Sequence, residues 1–450
     1  MRPRRVTTMV VALATLLSGA CRGNGPPERS EPPRESASSP NAPVASPASS
    51  APSAEPVDRV AGWRSDLDDL LPRMESMHPD LYHGVSEASL REDVARLMAG
   101  VPEMNDDEVM TGVLRIVARI GAEGRDGHTG AFVWGTGTYP VTSLPLRLWL
   151  FPDGVFVVDA LPPYRDLVGS RVEDVAGHPI AGVLAAIEPL VPRDNDATVR
   201  LVTPRFLLIP EVLHGLGLIE DTGPVPISVV GPAGAASTVD VEPVPMYEYN
   251  SWAGEYGVHL PPTPGPLYLS NTGEPLWDRP LPSSHALYVQ YNRVEFLYAD
   301  TLDRLRRDVA RPGVQRVVVD IRHNFGGETH AFPAVARILE RAAADGRTLA
   351  VITGRNTFSA ASLFAARLER NTDAVFVGEP MGGSPNLYGN PRDLRLSFSG
   401  IDVGVATRYY VGSTPDDPRL TIEPDVPAEL TSADYFAGRD PALEAALQVP

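Results

Sequence analysis

The hydrophobic rhythm of the chain changes twice along its length. Between 59 and 121, apolar residues recur at three- and four-residue spacing: Trp63, Leu67, Leu70, Leu71 and Met74, then Val109, Val113, Ile116 and Ile120. That spacing lines one face of a helix, so a small helical bundle is predicted, ending at the Gly-rich stretch IGAEGRDGHTG. From Thr138 to about Val244 the rhythm becomes strand-like, in LPLRLWLFPDGVFVVDAL, SRVEDVAGHPIAGVLAAI and VPISVVGPAGAASTVDVEPV. A Pro-rich loop, about Pro261 to Pro282, leads into the last third.

There, apolar strands alternate with amphipathic helices. HALYVQY, VQRVVVDI, TLAVITG and DAVFVG read as strands, and Val294 to Val309, Ala331 to Ala344 and Ser359 to Arg370 as helices. Strands apolar on both faces imply a largely parallel sheet covered on both sides. The expected class is α/β: a helical region at 59–125, a β-rich domain at 126–245 with a helical insertion near Asn195 to Leu218, and an αβ core at 246–450.

Composition alters this picture at the N-terminus. Arg2, Arg4 and Arg5 precede an apolar run from Met9 to Leu17, and small residues lead to Cys21, the single cysteine of the chain. This is the layout of an export signal, with 1–21 as the leader. LLSGAC resembles a bacterial lipobox, although Ser18 stands where Leu is usual, so Cys21 is expected to be lipidated and the protein held at the cell envelope. Residues 22–58 are rich in Pro, Ser and Ala with few large apolar side chains, and read as a flexible tether.

With 57 acidic and 39 basic residues, the net charge is −18, which argues against nucleic acid as a partner. Every basic residue other than His is Arg, so Schiff-base lysines, Ser–Lys dyads and lysine phosphate loops are excluded. One cysteine excludes intramolecular disulfides.

Sites in such sheets lie at the carboxyl ends of strands. Two turns there carry chemistry. In DIRHNFGGET, Gly326 and Gly327 permit a turn with exposed amides. In GRNTFSAASLFAARLER, Ser359 opens a helix although Asn356 and Thr357 already offer caps, and small residues around it leave room for a carbonyl. Ser359 is therefore either an N-cap or a nucleophile, and a nucleophile needs a base. Among nine histidines, His78, His83, His178, His214, His259 and His285 sit in segments with no second chemical feature. His323 and His330 flank the Gly-Gly turn, and His128 lies in the Gly-rich loop GRDGHTGAF, so these three remain open.

VVVDIRHNFGG, VITGRNTFSAASLFA and VFVGEPMGGSPN, at these spacings, resemble the C-terminal-processing (tail-specific) serine peptidases. The resemblance implies a crotonase-like or Clp-like αβ core, a PDZ-like middle domain and a peptide or protein substrate, with no cofactor. It implies Ser359 as the nucleophile, and Gly326, Gly327 and Ala360 as oxyanion donors. The Ser–Lys branch of that family carries its base where this chain has Ser384 in GGSPN. The tricorn-like branch takes a His from an Asp-x-His-Thr-like loop, which DGHT matches, and so implies His128 as the base. A polar residue orienting that His is expected partly from the segment around LTIEPDV. A neutral His base, of ordinary pKa about 6.5, puts an acid limb of activity near pH 6–7. The rival readings are a non-catalytic binding protein on the same fold, and an esterase using the same Ser.

Overall fold

A six-stranded sheet forms the frame of the C-terminal half. In the computed structural model, which describes residues 58–133, 139–253 and 265–450, its strands are Leu276–Leu281, Ala286–Tyr291, Arg316–Asp320, Thr348–Thr353, Val375–Gly378 and Val426–Pro427, in that spatial order. The first pair is antiparallel and the rest are parallel. Alternation within Arg316–Asp320 shows why both faces had to be apolar. Val317 and Val319 join one buried cluster with helices Ala299–Val309, Phe332–Ala344 and Ala360–Asn371, while Val318 joins another with the C-terminal helix Pro441–Ala446.

Two expectations for this half change. The Pro-rich loop contains the strand Leu276–Leu281, which accommodates Pro280 because it lies at the sheet edge. The helix expected from Val294 starts only at Ala299. Val294 is held instead by the Gly-Gly turn: its amide donates to the Gly326 carbonyl at 2.8 Å, and its own carbonyl accepts from Glu328 N at 2.7 Å.

The N-terminal helices are Arg59–Glu75, Glu87–Gly100 and Asp106–Ala118. The third opens on a capping box: the Glu108 amide donates to Asn105 Oδ1, and the Asn105 amide to Glu108 Oε2, at 2.9 and 2.7 Å. These helices share one core with an antiparallel sheet built on Leu146–Phe151, Gly154–Ala160, Arg171–Val175, Val225–Val230 and Ala236–Val241. The insertion forms helices Asp196–Phe206 and Pro210–Gly215, and Phe206, Val212 and Leu213 are fully buried in that same core.

Residues from the far end of the chain complete this first unit. Strand Asp402–Val405 pairs on one side with Arg392–Arg395 and on the other with Gly130–Phe132, directly after His128. The expected leader, Cys21 and the tether up to 57 lie outside the described residues.

Candidate active site

Ser359 sits between strand Thr348–Thr353 and helix Ala360–Asn371, with φ 54° and ψ −125°. For a residue with a Cβ that conformation costs on the order of 1–3 kcal/mol, so the surroundings must enforce it. They do. Thr357 spends its hydroxyl on the Ile321 carbonyl (2.8 Å) and accepts from the Gly354 amide (3.2 Å), tying the turn to the neighbouring strand end. The Phe358 amide donates to the Asn324 carbonyl at 3.1 Å, joining the two turns that the sequence singles out. Because Thr357 closes the turn, Ser359 has no capping duty, and its side chain bonds no helix amide.

Its hydroxyl faces His128 instead, with Oγ 2.9 Å from Nε2 across a separation of 231 residues. The His128 ring is almost wholly buried and stacks on Phe358, centroids 4.5 Å apart. For Nε2 to accept the Ser proton, the ring's own proton must sit on Nδ1. Nδ1 has no hydrogen-bond partner among the described residues, and the Tyr388 backbone acts on the ring only to raise its pKa. No carboxylate from 420–426 bonds this ring; Asp425 accepts from the Phe376 amide at 2.9 Å, and Glu423 is exposed. The orienting bond expected from that segment is therefore not made, and the Asp126 charge and the Tyr388 backbone act on the ring only electrostatically. Burial pushes the His128 pKa down to about 4, against the opposing pull of Asp126.

The loop carrying His128 is pinned from the insertion, a feature the sequence did not disclose. Asp194, fully buried, accepts from the Gly127 amide (2.6 Å) and the Ser384 amide (2.8 Å), and its carbonyl accepts from Arg125 N (3.0 Å). Asn195 Nδ2 donates to the Met381 and Leu420 carbonyls, and Thr198 Oγ1 to Gly382 O. Burial raises the Asp194 carboxyl to about 7 in spite of those two amides. Asp194→Asn presents an NH2 to one amide that now has an acceptor. It should lower stability by about 2 kcal/mol, the cost of an unsatisfied buried donor, read as a drop in Tm. An unchanged Tm would show that the clamp is dispensable.

Gly326 and Gly327 have φ +103° and +131°. A Cβ on Gly326 would lie 2.6 Å from Ser359 Cβ and 2.9 Å from the Ala360 amide, and one on Gly327 would lie 2.2 Å from the Val294 carbonyl. The three expected donors are not equivalent. The Gly326 amide is occupied by Asn324 Oδ1 at 3.0 Å. Those of Gly327 and Ala360 have no acceptor among the described residues, and Ala360 opens the twelve-residue helix.

None of the other candidates is hydrogen-bonded to the Ser359 side chain. His330 is exposed. His323 is half-buried, stacks on Tyr268 and borders a small cavity of about 50 Å³ with Arg322, Arg355 and Glu379. The Ser384 hydroxyl donates to the Leu420 carbonyl at 2.8 Å.

No family model and no curated protein matches this sequence. Solved structures are similar in fold. The CPAF S499A mutant aligns with TM-score 0.61 and 12% identity, over 86% of this chain and 96% of that one. Mature CPAF in complex with lactacystin aligns with TM-score 0.59 and 12% identity, over 86% and 97%. At that identity the likeness shows a shared fold, spanning nearly all of the residues that pack here into two units.

Proposed function

We infer that this chain is a serine peptidase of the C-terminal-processing family, of its tricorn-like Ser/His branch, acting on peptide or protein substrates. One observation carries the reading: a strained, half-buried Ser359 whose Oγ lies 2.9 Å from the buried His128 Nε2, beside two amides with no acceptor among the described residues. The motif spacing and the CPAF-like fold support it.

The chemistry follows from the geometry. Ser359 Oγ attacks the scissile carbonyl while its proton passes to His128 Nε2. The carbonyl oxygen becomes an oxyanion, and the Gly327 and Ala360 amides, with the positive end of the helix, are placed to stabilise it. The C–N bond breaks as His128 returns the proton to the leaving amine, and an acyl ester remains on Ser359. Water then attacks that ester, gives its proton to His128, and the acid product leaves as Oγ is reprotonated.

A fluorophosphonate probe should label the protein at Ser359, found by mass spectrometry of the labelled peptide; an unlabelled Ser359 would favour a non-catalytic binding protein. Hydrolysis of ester but not peptide substrates would favour the esterase reading.

The expected pH dependence rests on the burial of His128. A lowered pKa means that the ring gives up its proton at lower pH, so the neutral base persists down to about pH 4 and is lost below it. The acid limb of kcat/KM, which reports the free enzyme, should therefore fall at about pH 4 rather than at the 6–7 of an ordinary His. A limb near 7 that vanishes in Asp194→Asn would assign the titration to Asp194 instead, whose carboxyl is raised to about 7.

Export and anchoring belong to the same proposal. Among the described residues no helix is long and apolar enough to cross a membrane. The mature protein should begin at Cys21 and carry a diacyl lipid, measured as added mass on the N-terminal peptide. A mature N-terminus elsewhere without lipid would remove the anchor.

A further inference from the structure

Beside the His128 loop, His78, His83 and Asp126 converge. The side chains of His78 and Asp126 are fully buried, with Nε2 and Oδ2 3.1 Å apart. One ligand-type atom from each of the three residues lies within 4.8 Å of the others. The imidazoles of His78 and His83 stack with centroids 5.6 Å apart at 10°, and both rest against Tyr388. Neither His78 nor His83 takes part in the chemistry assigned to Ser359, and Asp126 acts there only through its charge near His128.

Their hydrogen bonds decide what each can offer. His83 Nδ1 lies 2.9 Å from the Asp80 carbonyl, so Nδ1 carries the proton and Nε2 presents a lone pair. That Nε2 is buried and has no hydrogen-bond partner among the described residues. A backbone carbonyl holding the far N–H of a His is the arrangement by which metal sites fix the tautomer of a ligand. Asp126 is prepared in the same way, because Oδ1 accepts from the Thr129 amide at 3.0 Å and Oδ2 is turned to the histidines. No Arg pairs with this carboxylate among the described residues.

His78 is the weaker third. Its Nδ1 accepts from the Asp80 amide at 3.0 Å, so its proton sits on Nε2, toward Asp126. A metal ion at Nε2 takes the place of that proton. The ring stays neutral by carrying the proton on Nδ1, and the Asp80 bond is given up.

We propose that His83 Nε2, Asp126 Oδ2 and His78 Nε2 form a binding site for one zinc-type divalent ion beside the loop that carries His128. Two imidazole nitrogens and one carboxylate oxygen suit zinc, whereas calcium and magnesium call for oxygen ligands throughout. The partly exposed edge of His83 provides the way in, and water completes the coordination. Such an ion would join the segment after the first helix to the catalytic loop. The site stands independently of the peptidase reading.

The test uses untagged protein, stripped with chelator and titrated with zinc chloride alone in a calorimeter. One ion per chain should bind, and His83→Ala should weaken binding by on the order of 100-fold. His83→Gln, which keeps the bulk of the side chain but not the imidazole, should do the same. His214→Ala, at a separate His–Asp pair with Asp107, should bind like the unaltered chain. Cobalt(II) should give visible ligand-field absorption that disappears in His83→Ala. Absence of saturable zinc binding, or His83 variants that bind as tightly as the unaltered chain, would overturn the site.

Discussion

Ser359→Ala is expected to lower kcat by on the order of 10⁴–10⁶-fold, with His128→Ala and the double variant about equally inactive. The two side chains act as one unit: without Nε2 the Ser proton has nowhere to go, and without Oγ there is nothing for the His to deprotonate. Losses in such a unit do not add. Single-turnover rates on a peptide substrate, with melting curves to confirm folding, make the comparison. Three controls sharpen it. Ser384→Ala removes one buried hydrogen bond to the Leu420 carbonyl and should cost about 1 kcal/mol of stability with activity largely kept. His323→Ala and His330→Ala should stay active, since neither ring bonds Ser359. A folded, active His128→Ala variant would mean that the base has been misassigned.

Gly326→Ala should be almost as damaging, although the Gly326 amide does no chemistry. The added methyl meets Ser359 Cβ at 2.6 Å and the Ala360 amide at 2.9 Å, against a backbone φ of +103° that disfavours any side chain. The clash and the strained φ each cost about 1–3 kcal/mol. Relief can come only by moving Ser359 or Ala360, and a displacement near 1 Å costs on the order of 10²-fold in rate. A loss of at least that size in kcat should therefore accompany a lower Tm. Gly273→Ala, where a Cβ meets nothing within 4 Å, should change neither. Full activity in Gly326→Ala would mean that the Gly-Gly turn does not brace the nucleophile.

Part of this protein could be read along the chain because the signals are local. The helical spacing from Trp63 to Met74, the four apolar strands and the helix after Ser359 each depend on neighbours a few residues away, and the structure places them within a few residues of expectation. The absence of Lys removed the Ser–Lys alternative without any fold at all. Even the choice between cap and nucleophile had a local clue, since Thr357 stood two residues ahead of Ser359 and takes up the turn's hydrogen bonds.

What the chain order alone does not show is how distant segments are brought into contact. His128 meets Ser359 over 231 residues because Gly130–Phe132 is zipped to Asp402–Val405 and Asp194 grips the amide of Gly127. Asp194 and Asn195 carry no recognisable motif. Their role exists only because a buried carboxylate and amide find backbone groups from two distant loops. The same holds for His78, His83 and Asp126, which a sequence reading separates and the fold brings within 4.8 Å. Identity and periodicity set which residues could do chemistry. Burial, which strips water from His128 and lowers its pKa, and long-range backbone pairing, which aims it, were decided only when the chain closed on itself.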